Sequence, residues 1–373
     1  MAMMNPKITI NSEENNTLSF TLSDTHHSLA NSLRRIVLSE VPALVFRTFP
    51  HEENKVDITV NTTRLNNEII KQRIGCIPIH ITDVDFPYQE YAIECDMKNE
   101  SDTIQLCTTQ SLKIKNIQTD KYLSSTATKE IFPPDPITGD YIPITRLRPK
   151  LSESIDGEHI QFTATIDICT AKIDGMYNVA STCAYANTPD PIKANDVWND
   201  QKTQLQKSGM SEEEIQFEHS NWLLLDGKRI TIPNSFDFIV ESVGVFSNMD
   251  IIYKSCDIMI NKCKMFISNI AKDNIKIEIN ENSTLDNEFI INIPNEDYIL
   301  GNSIVYFMYE NYFKKDKLTF VGFKVPHPHI PNGVIRMAFP DSSSDSSDVS
   351  QYLAESAEKV ISVFEIIQSN FKP

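Results

Sequence analysis

The stretch Leu29-Ala30-Asn31-Ser32-Leu33 is nearly repeated about 270 residues later, as Leu300-Gly301-Asn302-Ser303-Ile304. The chain before each stretch is also alike. Residues 8–11 read Ile-Thr-Ile-Asn and residues 277–280 read Ile-Glu-Ile-Asn, and an extended apolar segment follows each of them. Because these matches keep one order and nearly one spacing, they predict an internal duplication.

The first copy has the pattern of a strand hairpin followed by one helix. Apolar residues alternate over 8–10 and 18–22 around a polar turn, which is typical of two strands. Asp24 or Thr25 is expected to cap the helix, and Pro42 to end it. The helix would carry one apolar stripe at i, i+4, i+7 and i+8: Leu29, Leu33, Ile36 and Val37.

The second copy repeats this pattern. Asp297 is expected to cap its helix, which carries the stripe Leu300, Ile304, Phe307 and Met308. Two longer amphipathic helices are expected further along the chain. One covers residues 251–270, and the other is opened by Asp348 with Gln351 as a capping box. Each copy therefore consists of a strand hairpin and two helices.

Such a unit cannot bury its apolar face alone, whereas two units can bury theirs against each other. The sequence predicts an α+β protein in which the two copies pair about a pseudo-two-fold axis through their helix stripes. Two unrelated α+β modules with a chance similarity remain the alternative.

The middle of the chain differs in character from both copies. Residues 83–170 read as short β segments with Pro/Gly turns, which predicts a β-rich domain inserted in the first copy. The first copy would then comprise residues 1–82 and 171–272, and the second copy residues 273–373. A polar segment from about residue 186 to 224 contains an expected helix at 194–207.

Composition limits the kinds of function. The formal net charge of −17 disfavours tight binding to nucleic-acid phosphates. The seven cysteines include no Cys-x-x-Cys pair, so we expect free thiols and no metal. No apolar run approaches the ~20 residues of a membrane span, and no secretion signal is evident, so an intracellular protein is expected.

Several segments resemble the alpha-like subunits of multisubunit DNA-directed RNA polymerases. Residues 29–43, from the first repeat through Arg-Arg-Ile-Val-Leu-Ser-Glu-Val-Pro-Ala, resemble the signature helix of the alpha subunit and its larger alpha-like counterpart. Residues 73–79 and 238–244 resemble two further blocks of that counterpart, and residues 300–303 and 320–328 are similar to the smaller alpha-like subunit. The chain thus resembles a fusion of both partners, as in nucleocytoplasmic large DNA viruses, without the metal-holding cysteine cluster of some cellular larger partners.

This resemblance implies a non-catalytic assembly platform. It implies docking of the second-largest and then the largest polymerase subunit, with small subunits as further partners and catalysis confined to the large subunits. The chain itself would have no catalytic residue, cofactor or metal, and would be a monomeric component of a hetero-oligomer. If the source is viral, the infected-cell cytoplasm and the virion are the expected locations.

The resemblance also suggests where partners bind. Subunit docking is assigned to Arg34, Arg35, Glu40 and Arg73, since arginine pairs well with carboxylates at interfaces. A candidate partner-contact loop contains Lys324, Pro326, His327 and Pro328. The alternative for the arginines is a solvated helix face. The histidines at 26–27 and at 327 and 329 have no third ligand at a fitting spacing, so metal binding is not expected there.

Two other classes of function are the alternatives to a polymerase subunit. A free-standing enzyme is disfavoured because the sequence has no Gly-x-Ser-x-Gly, no P-loop and no dinucleotide-binding glycine pattern, and has ten glycines in all. An intracellular interaction scaffold of two α+β modules outside transcription is the stronger rival. A polymerase subunit should co-purify with two very large partners, whereas such a scaffold should not.

Overall fold

The computed structural model describes residues 4–14, 16–150, 152, 154–280, 283–341 and 345–372. The helices in these ranges are α1 (His27–Ser39), α2 (Asn67–Gly75), α3 (Ser125–Ile131), α4 (Pro191–Lys207), α5 (Glu212–Leu224), α6 (Asn248–Ala271), α7 (Tyr298–Asn311) and α8 (Ser346–Ser369). None of these helices has an apolar stretch of the length that crossing a bilayer requires.

The first half of the chain contributes the strands β1 (Lys7–Glu14), β2 (Thr17–Ser23), β3 (Ala43–Phe46), β4 (Val56–Asn61), β5 (Tyr91–Lys98), β6 (Gln105–Thr108), β7 (Lys113–Asn116), β8 (Lys121–Tyr122), β9 (Pro143–Leu147) and β10 (His159–Cys169). The second half contributes β11 (Ala180–Pro189), β12 (Thr231–Ser242), β13 (Lys276–Ile279), β14 (Glu288–Pro294), β15 (Phe320–Lys324) and β16 (Asn332–Ala338). The predicted α+β class is confirmed.

Two four-stranded sheets share one topology. The first has the order β1-β2-β12-β11 and the second the order β13-β14-β16-β15. In each sheet an antiparallel hairpin comes first, a helix follows it, and a second hairpin adds its later strand beside the first hairpin. A long helix, α6 or α8, then follows the last strand.

Both sheets lie in one compact unit, which comprises Met1–Ile36, Thr182–Glu241 and Ile252–Pro373. Alternate residues of β2 are buried, as the two-residue period of a strand requires. The Phe20 ring stacks on Phe238 at 4.9 Å and meets Phe371, just beyond α8, edge-on at 5.1 Å. Aromatic residues from both ends of the chain therefore share one core.

The eight residues of the two predicted stripes are all buried. Cys256 and Cys263 lie seven residues apart on one face of α6 and are also buried. The Asp297 carboxylate accepts a hydrogen bond from the Ile299 amide at 2.8 Å, so the predicted cap of α7 is confirmed. These burials account for the amphipathic patterns of the helices.

Two other predicted caps are wrong. Helix α8 is capped by Asp345, and Asp348 is the third helical residue, which completes the capping box. The predicted box of Asp348 and Gln351 therefore starts three residues too late. The backbone of Asp345 is extended, as that of a capping residue normally is. Helix α1 begins at His27, so the residue before it is His26 and neither Asp24 nor Thr25. Of the polar run after Pro340, residues 342–344 lie outside the described residues.

The second compact unit comprises Val37–Ser181 and Ser242–Ile251. Its main sheet has the order β3-β10-β5-β7-β8, with β4 also paired to β10, and β6 pairs with β9 in a small separate sheet. The core contains buried residues from these strands and from α2, among them Phe46, Ile74 and Phe162. The unit includes β3, β4 and α2, which precede the predicted insertion at 83–170. The division into three domains stays a prediction.

Leu33→Asp and Ile304→Asp should each destabilise the first unit by about 3 kcal/mol or more, because each places an unpaired charge at a fully buried position. Urea denaturation, monitored by circular dichroism, should show for each variant a single unfolding transition at a lower urea concentration than for the wild type. The control Ile10→Asp lies on an edge strand, with 44% of the residue exposed, and should cost about 1 kcal/mol or less. Two separate unfolding transitions in either variant would contradict a shared core.

Candidate subunit interface

Helices α1 and α7 meet at two buried serines. The Ser32 and Ser303 hydroxyl oxygens lie 2.9 Å apart, and the Ser32 hydroxyl is also 2.9 Å from the Ile299 carbonyl oxygen. Each hydroxyl can instead donate to the carbonyl four residues earlier in its own helix, at Ser28 or at Ile299. Serine is small enough to let two helix backbones approach closely, and these contacts satisfy its polar atom.

Two further contacts lie on either side of the serines. The His26 ring stacks on Tyr306, with centroids 4.0 Å apart and ring planes 11° from parallel. Arg35 Nη2 donates to Asp297 Oδ2 at 2.7 Å. Going along α1 from His26 to Arg35, the partner residues in α7 therefore run backwards, so the two helices are antiparallel.

The positions of these contacts follow the sequence repeat. The two serines are 271 residues apart and occupy the same place in the repeated stretch. The same shift takes His26 to Asp297 and Arg35 to Tyr306. His26 and Asp297 therefore hold one repeat position, and Arg35 and Tyr306 hold another. In each flanking contact, the first position in one copy meets the second position in the other copy.

Asp297 has two tasks at this contact. One carboxylate oxygen caps α7 through the Ile299 amide, and the other binds the Arg35 guanidinium. The paired side chains are about 30% exposed, so solvent screens the ion pair only in part. The neighbouring residue Glu296 binds Lys262 of α6 at 3.0 Å, in a more buried ion pair. The helix start is thus held from both α1 and α6.

His26 is neutral at pH 7 in this position. Burial, and to a smaller extent the charge of the adjacent His27, lower the pKa of His26 to about 4. The ring Nδ1 lies 2.7 Å from the Ser28 hydroxyl and 3.3 Å from the Ser28 amide, so the imidazole holds the first turn of α1. A neutral ring can accept these bonds, whereas an imidazolium cannot.

The four predicted docking residues each have contacts within the chain. Arg34 donates to the Asn31 side-chain oxygen of its own helix at 3.0 and 3.1 Å, and Arg35 binds Asp297. Both arginines lie in the first compact unit.

The other two docking residues lie in the second unit. Glu40 is 3.4 Å from Lys172, and its side chain is 8% exposed. Arg73 donates to the carbonyl oxygens of Ile144 and Pro143 at 2.7 and 2.6 Å. These contacts hold both side chains within their own unit. The docking roles of all four residues stay predictions.

The candidate partner-contact loop is exposed. Lys324 ends β15, and Pro326, His327 and Pro328 follow it in the connection to β16. The His327 ring Nδ1 accepts a hydrogen bond from the His329 amide at 3.1 Å. In the part of the chain that the structure describes, no group of three His, Cys, Asp or Glu side chains is placed to hold a metal ion.

A groove of about 660 Å³ opens beside α1 and α7. Asn31 and Asn302, which are equivalent in the repeat, both line it, together with the rings of His26, Tyr306 and Tyr309. Sequence reasoning missed this groove and the serine contact. The identical Asn-Ser pair in both copies was the signal that could have revealed them, because a polar pair inside an apolar stripe needs a partner.

Comparison with known proteins identifies relatives of the chain. A family model described as the RNA polymerase Rpb3/Rpb11 dimerisation domain matches residues 19–263. The DNA-directed RNA polymerases I and III subunit rpac1 of Dictyostelium discoideum is 28% identical over 311 residues, covering 72% of this chain and 83% of that protein. The DNA-directed RNA polymerase subunit Rpo3 of Pyrococcus furiosus is 24% identical over 281 residues, covering 71% of this chain and 97% of that protein.

A shorter match has higher identity. The DNA-directed RNA polymerase II subunit RPB3 of Schizosaccharomyces pombe is 36% identical over 92 residues, which is 24% of this chain. That match spans 29% of the yeast protein's length.

The Arg35–Asp297 ion pair should contribute a coupling energy of about 0.5–1 kcal/mol, as expected for a partly exposed pair. The measurement is a double-mutant cycle of Arg35→Gln and Asp297→Asn by urea denaturation. Asparagine keeps the capping oxygen of α7, so the cycle isolates the charge. A coupling energy of zero, or one unchanged by 1 M salt, would show that the contact contributes no electrostatic stability.

His26→Asn should make the protein less sensitive to acid. Because the folded-state pKa lies near 4 and the ordinary value is 6.5, the unfolded chain binds the proton first as the pH falls. The wild type should therefore lose stability between about pH 6.5 and 4, and the variant should lose about 1 kcal/mol less, after allowing for the half-exposed ring. Denaturation at pH 7.5 and 4.5 measures this, with the exposed His329→Asn as control. Equal losses in all three proteins would refute it.

Proposed function

The chain belongs to the Rpb3/Rpb11 family of alpha-like RNA polymerase subunits, and from this premise we propose that it is the assembly platform of a DNA-directed RNA polymerase, on which the two large catalytic subunits dock. The family model covers well over half of the chain, and the family membership argues against a scaffold outside transcription. The acidic charge of −17 agrees with a subunit that contacts proteins and leaves the template to others.

We further propose that the chain fuses the larger and the smaller alpha-like partner. The family match ends at residue 263, and the second copy of the repeat follows it. The single observation that best supports the fusion is the reciprocal contact of α1 and α7: His26 with Tyr306 and Asp297 with Arg35 around the serine pair. Such reciprocity is what a pseudo-two-fold axis between the serines would produce, since isologous contacts occur twice.

The equal strand order of the two sheets supports the same proposal. A homodimer of alpha-like subunits would provide two copies of this unit from two chains. Here the second copy occupies the surface that a second chain would use, so the chain should be a monomer within the larger assembly. A source in a large DNA virus, and with it the infected-cell cytoplasm or the virion, rests on the sequence resemblance alone.

For docking, we assign the outer face of α1, centred on Arg34 and the adjoining groove. The Arg34 guanidinium is held by Asn31 of the same helix, and its remaining N–H groups suit a partner carboxylate. Arg35 is committed to Asp297 and therefore acts mainly in pairing the helices. Glu40 and Arg73 would act by holding the second unit in shape, and the exposed loop at Lys324 and His327 would offer a further contact.

Arg34→Glu should weaken capture of the second-largest polymerase subunit at least tenfold, because a reversed charge at an interface repels the partner. The measurement is affinity purification of the tagged chain co-expressed with both large subunits, quantified by mass spectrometry. Arg64→Glu, which changes an exposed arginine of the second unit, is the matched control and should capture as the wild type does.

Two results would count against these assignments. Unchanged capture by Arg34→Glu would leave Arg34 as a solvated residue and remove the docking face. A wild-type chain that brings down neither large subunit would contradict the polymerase proposal itself.

A further inference from the structure

The tips of the two equivalent hairpins are built differently. In the second sheet, β15 and β16 are joined by residues 325–331. In the first sheet, the corresponding strands β11 and β12 are joined by residues 190–230, which contain α4 and α5. The helical pair is therefore an addition at a hairpin tip, which the sheet does not need for its own completion.

The helical pair has a small core of its own. Trp198 of α4 and Ile215 of α5 are buried, and the Trp198 ring stacks on His219 at 4.7 Å. The Trp222 ring lies 5.9 Å from Trp198. Ile215 and Trp222 are seven residues apart, so both lie on the side of α5 that faces α4.

The opposite side of α5 is also apolar. At about 100° per residue, Phe217 and Leu224 lie on the side of the helix away from Ile215 and Trp222. Phe217 and Leu224 are each 66% exposed, and Leu225, at the end of the helix, is 63% exposed. A helix that is apolar on two opposite sides is normally covered on both. We name the exposed surface formed by Phe217 and Leu224, together with Leu225 just beyond the helix, the α5 seam.

Acidic side chains flank the α5 seam. Helix α5 contains Glu212, Glu213, Glu214 and Glu218, and its sequence has no Lys or Arg. Glu213 lies one turn before Phe217 on the same side of the helix. A second copy of the chain would set these carboxylates against each other, which disfavours self-association through the seam. The occupant that complements the seam is apolar at its centre and basic at its edges.

We propose that the α5 seam binds an amphipathic helix of a partner protein, with an aliphatic stripe that contacts Phe217 and Leu224 and with flanking Lys or Arg that pair with Glu213 and Glu218. Helix-on-helix docking of this kind uses anchors at spacings that include seven residues, which is the spacing of Phe217 and Leu224. The site consists of residues other than those of the α1–α7 contact, so it does not rest on the proposed docking of the large subunits.

The test uses the full chain and a defined probe. The probe is a fluorescein-labelled synthetic peptide of 18 residues with leucine at helical a and d positions and lysine elsewhere, and binding is followed by fluorescence anisotropy at 0.15 M salt. The wild type should bind, and the double variant Phe217→Ser with Leu224→Ser should bind at least tenfold more weakly, because the apolar anchors are lost. Ile192→Ser changes a 77% exposed residue of α4 and is the matched control, expected to bind as the wild type.

The charge complementarity is tested separately. Glu213→Gln with Glu218→Gln should weaken binding and reduce its dependence on salt, and a probe with glutamate in place of lysine should not bind. Equal binding by the seam variant and the wild type, or no binding by the wild type, overturns the proposal. Sedimentation that shows a wild-type dimer abolished by the seam variant would assign the seam to a second copy instead. Circular dichroism confirms that each variant keeps its helices.

Discussion

The contact of helices α1 and α7 at two small buried serines is the constraint on which the first compact unit depends. A strand hairpin with one amphipathic helix leaves half of its apolar surface in water, and burial of that surface is the main force for folding. In this chain α1 and α7 meet at two serines that are small enough for a close approach, and the apolar stripes of both helices are buried. The Phe20 ring of β2 also meets Phe371, just beyond α8, so the first sheet shares its core with a residue from the other end of the chain. Neither copy is expected to be stable without the other.

The two arginines near this contact bind different partners within the chain. Two successive arginines in α1 have different surroundings, since Arg35 reaches Asp297 in α7 and Arg34 stays with Asn31 of its own helix. Successive residues on a helix point about 100° apart, so one faces the partner helix and the other turns away. Arg34 is therefore the arginine that we propose for contact with other subunits. Under that proposal, one of two successive arginines pairs the helices and the other binds a partner.

The two copies of the repeat have diverged where they face solvent. Their sheets share one strand order, yet one hairpin tip is a short loop with exposed prolines and histidines, and the other carries the helices α4 and α5. Selection for burial keeps the paired faces alike, whereas exposed tips are free to acquire different partners. In a homodimer both tips would be identical. Under the proposed fusion, one chain would present two unlike tips to the subunits that assemble on it.

The sequence alone determined the class of the fold, the repeat, the two stripes and the family, because periodic burial and repeated short stretches are local properties of the chain. The helical spacing of Leu33 and Ile304 from their apolar neighbours was enough to assign both residues to a core. The partners of individual polar groups were decided by the tertiary structure. Arg35 and Asp297 are 262 residues apart, and no local pattern states which side of α1 meets the start of α7. The predicted caps of α1 and α8 were wrong for a related reason. Several neighbouring side chains can cap a helix, and the path of the backbone selects one of them. The apolar stripe of a helix can be read from the sequence and shows which face is buried. Which atoms of two helices meet depends on how the helices cross, and only the tertiary structure decides that.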